Sequence, residues 1–258
     1  MLIGLLGCAA LLPAHANEFT DYAEVSQRFS KLMAESTRKH RMPRMSDPAT
    51  AKMVAAMSDH RRFLNARPFS VQEIGNLMEM CETANRAGMA YMLADLDKRL
   101  DKSVKDPAKV SQITFDLASR NAVTYQDEIT PLLAFHYRCL AKELPLLTNF
   151  AASLPPAQFT PERKSGLAQA RRGVFTSFVG IARSSAETAL SLRNRREMFA
   201  VMTEVAPQYI QVLDLATRKQ AHDYYNSLAS AIPGEFDSQY RKIAKDLGAV
   251  TCEGLCRL

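Results

Sequence analysis

Residues 70–100 read SVQEIGNLMEMCETANRAGMAYMLADLDKRL, and this stretch decides the fold. Ser70 and Glu73 have the spacing at which a serine hydroxyl and a glutamate carboxylate each take a backbone N–H at the start of a helix. Behind them Ile74, Leu77, Met78, Cys81, Gly88, Met92, Leu96 and Leu100 recur at three-, four- and seven-residue intervals, which is one face of a helix with 3.6 residues per turn. The spacing predicts one helix longer than about 25 residues.

Outward from it, a capping residue is followed by proline four times: Asp47-Pro48, Asp106-Pro107, Thr130-Pro131 and Thr160-Pro161. The side-chain oxygen of Asp or Thr can accept an orphan N–H of the first turn, and proline at the first helical position gives up an N–H that had no partner. Between these starts run further apolar stripes: Tyr22, Val25, Phe29, Leu32 and Met33; Met53, Val54, Met57 and Leu64; Val110, Ile113 and Leu117; Leu133, Tyr137, Leu140, Leu144 and Leu147. Leu167, Val174, Phe178 and Ile181 follow, then Met198 to Ala216 in phase across Pro207, and last Phe236, Tyr240, Ile243 and Leu247 before Gly248. About eight helices with short polar connections predict an all-α, antiparallel multi-helix bundle. Ten glycines and no tryptophan among 258 residues, with no run of alternating Val, Ile and Thr, leave little material for strands.

The apolar run over residues 2–12 is too short for a spanning helix, which needs about 20 residues, and ends in Ala14-His15-Ala16. Small residues at those two alanines suit a signal peptidase, so residues 1–16 read as an export signal and 17–258 as one helical domain of a soluble periplasmic protein. Leu5-Leu6-Gly7-Cys8 offers the alternative of a lipoprotein anchored at Cys8. In either case four cysteines are left to pair, and oxidation is the rule outside the cytoplasm. Cys252 and Cys256 are near enough for a local bond. Cys81 and Cys139, each on an apolar face, would staple two helices, worth about 4 kcal/mol by loop entropy.

Net charge is +6, and residues 28–67 hold ten basic against three acidic side chains. A second basic stretch runs over residues 163–196. Such surpluses suit an anionic membrane surface or another protein as partner; export argues against nucleic acid. Nine of twelve methionines lie between Met33 and Met92, and His40, Met42 and Met45 form a soft-ligand set for Cu(I), although Arg41 and Arg44 place positive charge beside it. No nucleophile elbow, zinc-protease motif, phosphate loop or haem site is present, and the sequence implies no cofactor. An enzyme would need a site assembled between helices, for which His136, Cys139 and Glu82 are the candidates; His222 beside Asp223 points elsewhere than its neighbour on a helix. Binding or scaffolding is the function this pattern favours.

Overall fold

Ser70 accepts the helix-start role expected of it: its N–H and hydroxyl both donate to Glu73 Oε2 at 2.9 Å, and the turn Val71–Glu73 opens α4, Ile74–Met92. The computed structural model describes residues 18–39, 41–100, 105–158, 160–231, 234, 236–249, 251–252 and 256, and all regular structure among them is helical. The chain forms α1 (Glu18–Arg38), α2 (Pro48–Met57), α3 (His60–Leu64), α4, α5 (Leu96–Arg99) and α6 (Pro107–Thr124). There follow α7 (Gln126–Ser153), α8 (Pro161–Ala186), α9 (Leu192–Val212), α10 (Leu215–Ala231) and α11 (Asp237–Ala249). The export signal, Cys8 and His40 lie outside the described residues.

Three of the four capping pairs act as expected. Asp47 takes the Ala49 N–H at 3.0 Å, Asp106 that of Ala108 at 3.0 Å, and Thr160 that of Arg163 at 3.4 Å, each with proline at the first helical position. Thr130-Pro131 is the correction. Helix α7 begins at Gln126, and Pro131 lies inside it. The earlier start places Asp127 and Glu128 in the first turn, where negative charge complements the helix dipole. It also buries Ile129 and sets Glu128 Oε1 against the Met45 N–H at 2.6 Å and Arg44 Nε at 3.3 Å. Against these gains stand the backbone bond that proline forfeits and the crowding of its ring against the preceding turn, together about 3 kcal/mol in a helix interior.

Three further expected helices are divided, one by a tertiary contact and two by local caps. The long stripe breaks after Met92, where Asp95 sits at φ 64° and α6 supplies Asn121, whose Nδ2 donates to the carbonyls of Met92 and Ala94 at 3.0 Å each. Those two carbonyls would otherwise lack helical donors. The stripe from Met53 to Leu64 splits at Asp59, whose carboxylate takes the Arg62 N–H at 3.0 Å and starts α3. Helix α9 continues through Pro207 but stops at Val212, so Ala216 belongs to α10. Asp214 starts α10 by accepting the Thr217 N–H at 2.8 Å, while buried Arg218 donates Nε to the terminal carbonyls of α9 at Leu213, 2.8 Å, and Ile210, 3.1 Å.

Helix α7 packs between α4 and α9, α9 lies between α7 and α8, and α10 pairs with α11. Small side chains set the first seam. Cys81, Ala84, Ala87 and Gly88 line α4 where α7 approaches, and a β-carbon at Gly88 would meet Leu133 Cδ2 at 3.1 Å. That closeness brings the α-carbons of Cys81 and Cys139 to 5.4 Å, within the span a disulfide bridges, and the sulfurs are bonded. Cys252 and Cys256 are likewise at disulfide distance, with α-carbons 5.3 Å apart. Around the second seam, the tyrosine hydroxyls find backbone or side-chain partners: Tyr209 donates to the Tyr137 carbonyl and Tyr225 to that of Phe178, both at 3.1 Å, and Tyr240 meets Ser185 Oγ at 2.7 Å.

Candidate functional site

Helix α8 follows α7 after residues 154–160, yet α8 packs mainly on α9, α7 packs on α4 and α9, and the two hardly touch each other. A groove of about 310 Å³ lies between them. Leu144, Leu147 and Ala151 face it from α7, Leu167, Ala170 and Val174 from α8, and Val212 from the end of α9. These positions follow from helical spacing: 144, 147 and 151, like 167, 170 and 174, recur at three and four residues. At its edge Phe150 is 43% and Met78 44% exposed, two of the few large apolar side chains that the protein leaves in water.

Three charged-type residues complete the lining. Arg163, in the first turn of α8, is exposed and donates Nη1 to the carbonyl and Oε1 of Gln158 at 3.0 and 3.1 Å. Arg171, two turns on, is half-buried, and its charge is one of the influences that hold Asp214 low, after the hydrogen bond from the Thr217 N–H. Glu143 is the unusual member. It is 6% exposed, and burial, then the negative charge of Glu82, pushes its carboxyl up to about 7. Among the described residues no protein donor bonds to it. At neutral pH it is therefore about half in the acid form, with an O–H to donate.

The candidates named from sequence are not brought together here. Cys139 is bonded to Cys81, so no thiol stands beside His136 to be activated. His136 is buried, its Nδ1 lies 2.9 Å from the Cys81 carbonyl, and burial holds its pKa below the usual histidine value despite that bond. Glu82 is exposed, and its charge reaches both His136 and Glu143. Met42 and Met45 are half-buried against the core and line different cavities, one beside Tyr125 and Asp97, the other beside His60 and Asp127. The second of these cavities, about 330 Å³, carries more polar groups than the groove, and several answer one another: Arg138 binds Glu204 at 2.7 Å and Glu197 at 3.1 Å, and Asn194 binds Asp127 at 2.8 Å. His222 is a correction to the helix-face expectation: its Nδ1 meets the carboxylate of its neighbour Asp223 at 3.0 Å, on the surface.

The basic surplus over residues 28–67 is smaller in space than in sequence. Arg28 pairs with Glu24, Arg62 with Asp21, Arg67 with Glu18 and Glu73, and Arg44 with Glu128, acids that all lie outside the window. No described helix is long and apolar enough to cross a membrane. Glu143 escaped the sequence reading although a signal was there: it falls on the stripe of Leu140, Leu144 and Leu147, two residues before Pro145, where a carboxyl has no ordinary reason to be. Comparison with protein-family models, with curated proteins and with solved structures returned no match.

Proposed function

We propose that this is an exported binding protein that holds the aliphatic chain of an anion-headed amphiphile in the groove between α7 and α8. The observation that carries the reading is the groove itself, an apolar channel of about 310 Å³ whose cations, Arg163 and Arg171, stand on one wall. Its volume lies at the lower edge of the ~300–1,000 Å³ typical of small-molecule sites, which suits one chain rather than two. Withdrawing a chain from water yields about 0.8 kcal/mol per methylene, so roughly ten methylenes give ~8 kcal/mol, the scale of a micromolar complex before ordering costs. The head group then decides selectivity. Arginine on a partly desolvated rim favours carboxylate or phosphate and repels ammonium. Export is supported by the apolar run ending in Ala14-His15-Ala16 and by two cysteine pairs at disulfide distance, which fit an oxidising compartment.

Fluorescent-probe displacement by laurate, dodecyl phosphate and dodecyltrimethylammonium tests this. The two anions displace the probe at least about tenfold more strongly than the cation, and Leu147→Arg abolishes displacement while the circular dichroism spectrum is unchanged. Equal displacement by all three, or full binding by Leu147→Arg, would refute the assignment.

A further inference from the structure

Glu143 has hydrogen-bonding capacity that the protein leaves unmet, in a wall otherwise built of leucine, alanine and valine. It is 6% exposed, it lines the groove, and among the described residues no N–H or O–H reaches it. The groups around it do not supply a partner. The Tyr209 hydroxyl of α9, close enough to feel its charge, is already donated to the Tyr137 carbonyl at 3.1 Å. His136, two turns back on α7, is held by the Cys81 carbonyl. The side-chain charge that bears on Glu143 is that of Glu82 on α4, and not that of Arg163 or Arg171 on α8. Among the described residues the carboxyl oxygens of Glu143 are not closed off from water, so they open onto the groove, and an occupant that excludes water there must replace the bonds that water makes. In a binding groove the missing partner is a group the ligand brings.

We infer that Glu143 recognises an oxygen along the bound chain, donating its proton to the carbonyl of an ester or amide, so that the occupant is an acyl-linked amphiphile rather than a plain alkyl one. The inference rests on the groove reading above and adds to it the chemistry between head and chain. A cationic or amino group is a poorer match, because Arg163 and Arg171 line the same groove. A neutral carboxyl presents one O–H and one carbonyl; the carboxylate presents acceptors only and would repel the ligand oxygen. The recognition therefore belongs to the acid form, which dominates below about pH 7 and is lost above it.

Isothermal titration of the full chain with monolauroyl glycerophosphate and with its dodecyl ether analogue, which lacks only the carbonyl oxygen, tests this directly. At about pH 6 the ester binds roughly three- to tenfold more tightly, the worth of one net hydrogen bond. The preference disappears at about pH 8.5 in the wild type. Glu143→Gln, whose amide donates at every pH, keeps it under both conditions, and Glu143→Leu binds both probes without discriminating. Equal binding of ester and ether by the wild type at about pH 6, or a preference that survives in Glu143→Leu, overturns the role of Glu143 while leaving the groove standing. Failure of both probes to bind overturns the groove reading and this inference with it.

Discussion

In the first half of α7, residues 126–139, ten side chains are buried; in the second half, residues 140–153, only Glu143, Leu144 and Ala151 are. Each half carries an interior carboxylic acid. Glu128 takes the Met45 N–H at 2.6 Å and pairs with Arg44, tying the 41–45 segment to the helix, whereas Glu143 is matched by no protein donor among the described residues. The difference lies in the neighbours. Small residues of α4 let the first half close until Gly88 nearly touches Leu133, and α2 and α3 cover its other side. Past Leu140 that cover ends, and the apolar stripe continues with a channel in front of it. One helix thus serves as core along half its length and as one wall of the groove along the rest.

The largest way to break this contrast is to cut the staple. Replacing Cys81 and Cys139 together by alanine frees a loop with a sequence separation of 58, and the loop-entropy estimate is a loss of about 4 kcal/mol. For a domain of this size that lowers Tm by roughly 10 °C. A loss under about 1 kcal/mol in urea unfolding would show that packing alone holds the seam. Next, fully buried Leu132 and half-buried Leu147 are the same residue type on the two halves. Leu132→Ala costs about 3 kcal/mol and Leu147→Ala about 1, because the first leaves a cavity and the second only widens an existing groove. Equal costs would mean that the second half is core as well.

The third effect is pH-dependent and of similar size or smaller. The carboxyl of Glu143 is raised from 4.5 to about 7 in the folded state, so between those values the native protein binds more protons than the unfolded chain. Stability attributable to it therefore falls as pH rises from about 4.5 to 7 and is level above, by up to about 3 kcal/mol. His136, held low by burial, acts in the opposite sense below its ordinary titration range, so the comparison must be with Glu143→Gln. The wild-type minus mutant difference in unfolding free energy declines between about pH 5 and 8. A flat difference would place Glu143 in bulk water and remove the contrast with a desolvated wall.

Local chemistry was legible where it acts within one turn. Asp47, Asp106 and Thr160 cap helices as their following prolines announce, and the paired cysteines sit on the faces their spacing gives. Part of what escaped was decided by partners far along the chain. The end of α4 depends on Asn121, some thirty residues on, and the early start of α7 depends on a glutamate reaching back to Met45. Helix α10 was missed because Asp214 stops one helix and starts the next with no proline or glycine to mark it. The groove was invisible for a plainer reason: periodicity shows which face is apolar, and only the placement of α8 shows that part of that face is left uncovered.

The bond between Cys81 and Cys139 joins positions on either side of α5 and α6, so those helices lie within a covalent ring. A protease that cuts the exposed backbone near Asp95, or anywhere else between the two cysteines, opens the ring but releases nothing. Both fragments stay attached, with α4 and α7 still side by side. A single nick in this part of the chain therefore leaves α7 in place beside α4, whereas a nick in residues 154–160 separates the two walls of the groove from each other's backbone. The ring thus makes one half of the molecule tolerant of cleavage and leaves the half that holds the groove without that tolerance.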